Sequence, residues 1–440
     1  MRRVLSQVGT LMLSFGLLLL ATGTFNTFMG LRADLEGFPK AVTGAMMSAF
    51  YVGTIIGARC NVGIINRVGH IRAFTAFAAI SAVAVPLHPF WIAAVSWIAL
   101  RTVLGICSAG LYMCTESWLN ERVTPDTRGT VLSLHAMVSF LGFGGGQLML
   151  SAGDPATAEL FMIAAMIFAL GAIPVALTRA IHPEPLTTVR FGLRQLFAGA
   201  PVAVTSCVVA GLCTGSLFGT GPLFGRALGL SVGQISALMT ALILSGLFLQ
   251  MPVGWLSDRF DRRRVIAAMA ACATLAAVAL AWFVHAADVA GGFRWAHHGT
   301  VLLGLAAVFG GVTATFYPLG IAYANDYLTA EQRVQASGGL VLAYGIGSAG
   351  GPLLASLALT GTGPPGLFLY NGVVGMAFLL FIAYRARRRT WAGITPKESF
   401  HAMPDATATP GGVEYDPRWD TSAPAQDDPD ARRTEFEDGE

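Results

Sequence analysis

The sequence predicts an all-α membrane protein of twelve transmembrane helices, arranged as two pseudo-symmetric six-helix halves. Three observations carry that prediction. Of the 440 residues, 54% are apolar and only 12% are charged, about half the charged share of a soluble domain. The charges cluster in short loops, leaving twelve apolar runs long enough to cross roughly 30 Å of hydrocarbon. Polar and glycine residues of the first half also recur in the second half at one fixed offset.

The first span is read at 8–31. The start Met1-Arg2-Arg3 suits a signal peptide, but the run that follows is too long for one and further spans succeed it. It is therefore read as a retained helix with a basic anchor. The second span (42–65) ends near Arg67 and the third (72–88) opens at Arg72. The fourth (91–118) and fifth (128–150) are separated by a loop holding Arg122 and Arg128, and the sixth (157–180) ends at Arg179. The basic loop 181–200, with His182-Pro183-Glu184-Pro185, Arg190 and Arg194, divides the spans six and six. The seventh (201–224) and eighth (233–257) lead into Arg259, Arg262, Arg263 and Arg264. The ninth (264–286), tenth (299–324), eleventh (333–359, opened by Arg333) and twelfth (366–386, closed by Arg385 to Arg389) complete the set.

Alternate loops thus collect the arginines, and the opposite loops hold only Arg32, Lys40, Arg226 and Arg294. The positive-inside rule then places both termini in the cytoplasm of a bacterial inner membrane, as an even number of spans requires. The expected units are an N-terminal half (1–180), a cytoplasmic linker (181–200), a C-terminal half (201–386) and a polar tail (387–440). The tail is rich in Pro, Asp and Glu and is expected to be disordered.

An offset of 205 pairs Gly105 with Gly310, Ser108 with Thr313, Tyr112 with Tyr317, Asn120 with Asn325 and Glu121 with Asp326. It also pairs Asp126 with Glu331, Arg128 with Arg333, and Gly142, Gly145 and Gly146 with Gly347, Gly350 and Gly351. Chance similarity between apolar helices yields Leu and Ala matches, not these. Spans 4–5 and 10–11 are therefore one unit used twice. Parallel halves of this kind form a transporter architecture with the solute site between them.

The chemistry-bearing residues gather on the fourth span. At 100° per residue, Trp97, Arg101, Gly105, Ser108, Tyr112 and Glu116 share one face. A charge near mid-membrane faces a cavity or a partner, so this stripe is assigned to the central pathway. Two readings stand for each charge. Glu116 either carries a coupling proton, burial raising its carboxyl pKa, or pairs with Arg122 or Arg128. Arg101 either binds an anion or bonds carbonyls of a neighbouring helix. Span 10 keeps Gly310, Thr313 and Tyr317 on the same stripe, which adds Thr313 and Tyr317 to the pathway, but replaces the base by Ala306 and the acid by Ile321, so charge chemistry belongs to the N-terminal half. Asn26, Thr214, Ser216 and Thr220 are weaker pathway candidates, each equally a back-bonded packing residue. His135 is read as packing, Asn371 as interfacial.

After the eighth span stand Gly254-Trp-Leu-Ser-Asp258-Arg259-Phe-Asp261-Arg262-Arg263-Arg264, and after the second Gly63-Ile-Ile-Asn66-Arg67-Val-Gly69-His70-Ile-Arg72. These resemble the duplicated signature loop of the major facilitator superfamily, with Asn66 replacing the acid in the first copy and Asp261 a glycine in the second. Arg101 with Gly105 is similar to that family's R-x-x-x-G motif. Thr115-Glu116-Ser117, Gly215-Ser216-Leu217-Phe218-Gly219, Phe316-Tyr317-Pro318 and Gly347-Ser348 look like its YcaD-like branch. The resemblance covers residues 1–386. It implies the superfamily fold, alternating-access transport and a cytoplasmic gate built from Asn66, Arg67, Gly69, Arg72, Gly254, Asp258, Arg259 and Arg262.

The remaining patterns point away from other classes. Gly345-Ile-Gly347-Ser-Ala-Gly350 matches a dinucleotide fingerprint literally, but inside an apolar helix with no preceding strand. The glycines at 142–146 and 347–351 have small-xxx-small spacing for close helix packing. They also faintly resemble an antiporter motif, without its proline in span 5. All six cysteines lie in apolar runs without paired spacing. No hydrolase, zinc or phosphate-loop motif is present, so no enzyme activity, cofactor or metal is expected. The competing class is a sensor or scaffold on the same fold. The expected partners are a small-molecule substrate, the lipid bilayer and protons, not nucleic acid, for a chain acting as a monomer. Arg101 favours an anionic or polyhydroxy solute and Glu116 a cation or a proton. Sugar or organic-acid transport and amphiphilic-drug efflux both stay open.

Overall fold

A computed structural model describes residues 2–122, 128–178, 193–328 and 330–388. Within them, twelve helical segments are long and apolar enough to cross a membrane. The first half comprises α1 (Arg2–Leu35), α2 (Lys40–Val68), α3 (His70–Ala84), α4 (Ala94–Arg122), α5 (Arg128–Leu148) and α6 (Glu159–Ala176). The short α7 (Leu193–Gly199) precedes α8 (Pro201–Ala227), α9 (Val232–Arg259) and α10 (Arg262–Val289). The tenth span is broken into α11 (Trp295–Thr313) and α12 (Phe316–Tyr327), and α13 (Ala330–Thr362) and α14 (Gly366–Arg388) close the bundle. Both ends of the described chain lie at one end of the bundle, here the terminal end. The opposite one is the far end.

Three expectations are corrected. The linker is not bare, because α7 occupies Leu193–Gly199 with Leu196 fully buried. Seven residues are too few to show a periodicity. The tenth span is not one helix. Its break at Ala314–Thr315 frees carbonyls that other spans then satisfy: Gln250 Nε2 of α9 donates to Ala314 O at 2.8 Å and Ser206 Oγ of α8 to Phe316 O at 2.7 Å. A discontinuity at membrane depth is tolerated only where such partners exist. Asn371 is not interfacial: it is buried and accepts from Ser216 Oγ at 3.1 Å. Most of the tail, Arg179 at the end of the sixth span and linker residues 181–192 lie outside the described residues.

The duplication is visible in the packing. A Cβ at Gly105 of α4 would run into the Phe50 carbonyl of α2, and one at Gly310 of α11 into the Leu242 carbonyl of α9. Gly146 of α5 lies against Leu20 O of α1, and Gly351 of α13 against Leu212 O of α8. Gly23 meets Phe143 O, and Gly215 meets Ser348 O. The 205 offset thus holds in space, with an offset of 192 relating Leu20, Gly23 and Phe50 to Leu212, Gly215 and Leu242. Backbones approach this closely only where no side chain intervenes.

Tight contacts between the halves run from the far end to mid-depth. At the far end Arg226 Nε meets Asp34 Oδ2 at 3.2 Å, and Ser236 Oγ donates to Gln147 O at 2.5 Å. Deeper, Phe143 packs on Phe218 at 4.8 Å between centroids. A Cβ at Gly246 would meet Phe140, and one at Gly345 would meet Ile55.

Candidate functional site

Arg101 is the eighth residue of α4, about 10 Å from its far-end start at 1.5 Å per residue, so it sits nearer the far end than the mid-membrane depth expected. Its side chain is 1% exposed. Nη1 donates to Asn26 Oδ1 of α1 at 2.7 Å, and the guanidinium carbon lies 4.7 Å from the ring centre of Phe50 and 5.7 Å from that of Phe25. Such faces attract a cation through the ring quadrupole. The arginine's described partners are an amide and two rings, not backbone carbonyls. Asn26 itself lies one turn from Gly30, whose Cβ position faces Pro222 of the other half.

The rest of the stripe runs toward the terminal end. Ser108, Tyr112 and Glu116 are all buried. Tyr112 packs edge-on against Phe15 at 6.0 Å, and Phe15 stacks on His135 at 4.8 Å. The structure therefore does not bring Arg101 and Glu116 together: fifteen residues of helix separate them by about 22 Å. The side chains of Arg122 and Arg128, the partners named for Glu116, lie outside the described ones. In the other half, Tyr317 packs on Tyr344 at 5.1 Å. Thr313 donates to Phe309 O at 3.0 Å and Gly310 O at 3.1 Å, which turns its hydroxyl back onto its own helix.

At the terminal end the two loop copies differ. Asn66, Arg67 and Arg72 are exposed, and Gly69 takes φ +87° between α2 and α3. In the second copy Arg262 is buried and donates to Ser257 Oγ (2.9 Å), Asp258 Oδ1 (3.0 Å), Asp326 Oδ1 (2.8 Å) and Ala322 O (2.7 Å). It ties α9, α10 and α12 within one half. Gly254 is buried, and Arg259 lies over the Trp255 ring at 4.0 Å. Asp261, not Asp258, caps the next helix, accepting from Arg263 N at 2.8 Å.

Sequence reasoning missed several buried polar residues. His88 is fully buried, its ring 5.2 Å from Phe25, and Trp97 Nε1 donates to His88 O at 2.9 Å. Gln147 bonds Thr27 and donates to Gly23 O at 3.1 Å. A His or Gln inside an apolar run was the available signal. Among the described residues no three His, Cys, Asp or Glu side chains group as a metal would require.

The Major Facilitator Superfamily model matches residues 11–292 and 204–407. The chain is 28% identical over 398 residues to the MFS-type transporter YcaD of Shigella flexneri, covering 88% of this chain and 96% of the relative. YcaD of Escherichia coli (strain SE11) matches to the same extent. The resemblance to the YcaD-like branch read from the sequence agrees with these relatives. Among solved structures, the nucleoside transporter NupG superposes with a TM-score of 0.73 at 12% identity, over 86% of this chain and 99% of its own. A bacterial homologue of the human lysosomal transporter Spinster, inward-facing and unoccupied, gives 0.66 at 13% identity over 87% and 95%.

Proposed function

Since the chain belongs to the Major Facilitator Superfamily, we propose that it is a secondary transporter moving a small solute across the bacterial inner membrane by alternating access, with proton coupling. The observation that carries this reading is the buried polar stripe of α4, Arg101, Ser108, Tyr112 and Glu116, in a fold made of two similar halves. Buried charge is costly, and a helix facing only lipid or a sealed apolar core would not retain it. The halves are tied at the far end, by Asp34–Arg226 and Gln147–Ser236, which suits the state closed on that side. The arginine-rich loops put the termini in the cytoplasm, so the closed side is the periplasmic one.

On this reading the working units are 1–180 and 201–386, joined by 181–200, with 387–440 as a cytoplasmic tail. Asn26, Arg101, Ser108, Tyr112, Glu116, Thr313 and Tyr317 line the route. Glu116 carries the proton. The loop residues Asn66, Arg67, Gly69, Arg72, Gly254, Asp258, Arg259 and Arg262 form the cytoplasmic gate, anchored at Arg262.

Counterflow into proteoliposomes tests the reading. The purified chain should exchange at least one labelled solute from a set of sugars, nucleosides, organic acids and amphiphilic cations, and an imposed pH gradient should drive its accumulation. No exchange of any of them by well-folded protein would favour a sensor or scaffold instead.

A further inference from the structure

We propose that the solute is an organic anion, and that Arg101, with Asn26 behind it, holds the solute's carboxylate or phosphate group. This rests on the transport reading above and names the substrate class for its site.

Three buried arginines stand out among the described residues: Arg32, Arg101 and Arg262. Arg32 meets Glu36, and Arg262 meets Asp258 and Asp326. Arg101, the most buried, has no described carboxylate beside it. Its partners are the neutral amide of Asn26 and the faces of Phe50 and Phe25. The nearby far-end acids are taken, Asp34 by Arg226 and Glu36 by Arg32, and Glu116 is about 22 Å along the helix. A guanidinium cannot shed its charge as a lysine does, and buried charges are ordinarily paired. The missing anion is therefore one that comes and goes.

The open edge fits that role. Nη1 is spent on Asn26, the two rings flank the guanidinium, and Nε is buried with no hydrogen-bond partner. The Nε–Nη2 side is the fork that takes a carboxylate or phosphate in two parallel bonds. Asn26 lies one turn from Gly30, whose Cβ position faces Pro222 of the other half, so the edge is set beside the seam where a solute would pass between the halves. The anion pairs with a cation already desolvated, whereas an amphiphilic cation would meet repulsion there.

The test uses the full chain in detergent with charge-matched pairs: benzoate and benzamide, succinate and succinamide, glycerol 3-phosphate and glycerol, plus tetraphenylphosphonium and uridine. Ligands that bind only the folded state raise its melting temperature. We expect anionic members to raise Tm and their neutral partners not to, with the carboxylates and the phosphate showing which head group is preferred. Arg101→Gln should weaken the effect at least tenfold, and Arg101→Lys should retain part of it. Stabilisation by neutral or cationic members alone, unchanged in Arg101→Gln, would overturn the proposal while leaving transport standing.

A ligand-free comparison decides the case if no probe stabilises. Removing a buried charge without a counter-charge should leave the Tm of Arg101→Met equal to or above that of the parent. A fall of several degrees would make Arg101 a structural tie and overturn the anion site. Exchange of a neutral solute in the counterflow assay would separate that failure from failure of the transport reading.

Discussion

Arg226 at the end of α8 reaches Asp34 at the end of α1, 3.2 Å away, so one ion pair joins the two halves where their far ends meet. Both side chains are partly exposed, at 41% and 30%, and exposed pairs contribute about 1 kcal/mol or less. The pair therefore biases a balance and does not lock it. Asp34→Asn or Arg226→Gln should shift the halves toward the far-open state by no more than about fivefold. Thiol labelling of a reporter cysteine at Leu35 would measure this. An unchanged labelling rate would count against a gating role.

Arg262 presents the opposite case. It and Asp326 are 2% and 6% exposed, and removing one member of a buried pair costs about 3–5 kcal/mol, because the other charge is left behind. Arg262→Ala should therefore cut folded yield and melting temperature sharply. Asp258, 39% exposed and sharing the same arginine, should cost about 1 kcal/mol or less as Asp258→Asn and should impair turnover more than ligand binding. Equal losses in the two variants would contradict this division of labour.

The glycines of the repeat make a third prediction. Gly347→Ala drives a methyl into the Val208 carbonyl, and Gly105→Ala into that of Phe50. Overpacking of this kind costs about 1–3 kcal/mol. Gly304→Ala, with nothing within 4 Å of its Cβ position, should be neutral or slightly stabilising. Melting temperatures of the three variants check the contrast.

Much of the fold was legible because apolar runs and arginine loops are local signals, and because the 205 offset joined polar residues on spans 4–5 and 10–11. The 192 offset was legible only in the loop copies, where it relates Arg67 to Arg259 and Arg72 to Arg264. Inside the spans Phe50 and Leu242, or Leu20 and Leu212, match only as apolar residues and meet through backbone. The break before Phe316 had a local signal in Pro318, which has no N–H to give the Ala314 carbonyl four residues back, and Gln250 of α9 takes that carbonyl instead. Arg101 was visible as a buried charge, but its contact with Asn26, 75 residues away, belongs to tertiary packing. Asn371 looked interfacial from its place near a helix start, yet Ser216 of α8 bonds it inside the bundle.

Glu116 makes a fourth prediction, through proton coupling. Glu116→Gln should abolish accumulation driven by a pH gradient while leaving solute counterflow within about threefold of the parent, since exchange needs no net proton movement. Counterflow lost to the same extent as accumulation would make Glu116 a structural or solute-binding residue.

Paired distance measurements at the two ends of the bundle test alternating access most directly. Spin labels at Leu35 and Ala227 report the far end, and labels at Val68 and Phe260 report the terminal end. These four residues are exposed and belong one to each half. On adding a solute that stabilises the protein, together with lowered pH, the far-end distance should lengthen as the terminal-end distance shortens, in the same fraction of molecules. Two distances that stay fixed, or that change independently, would contradict the account.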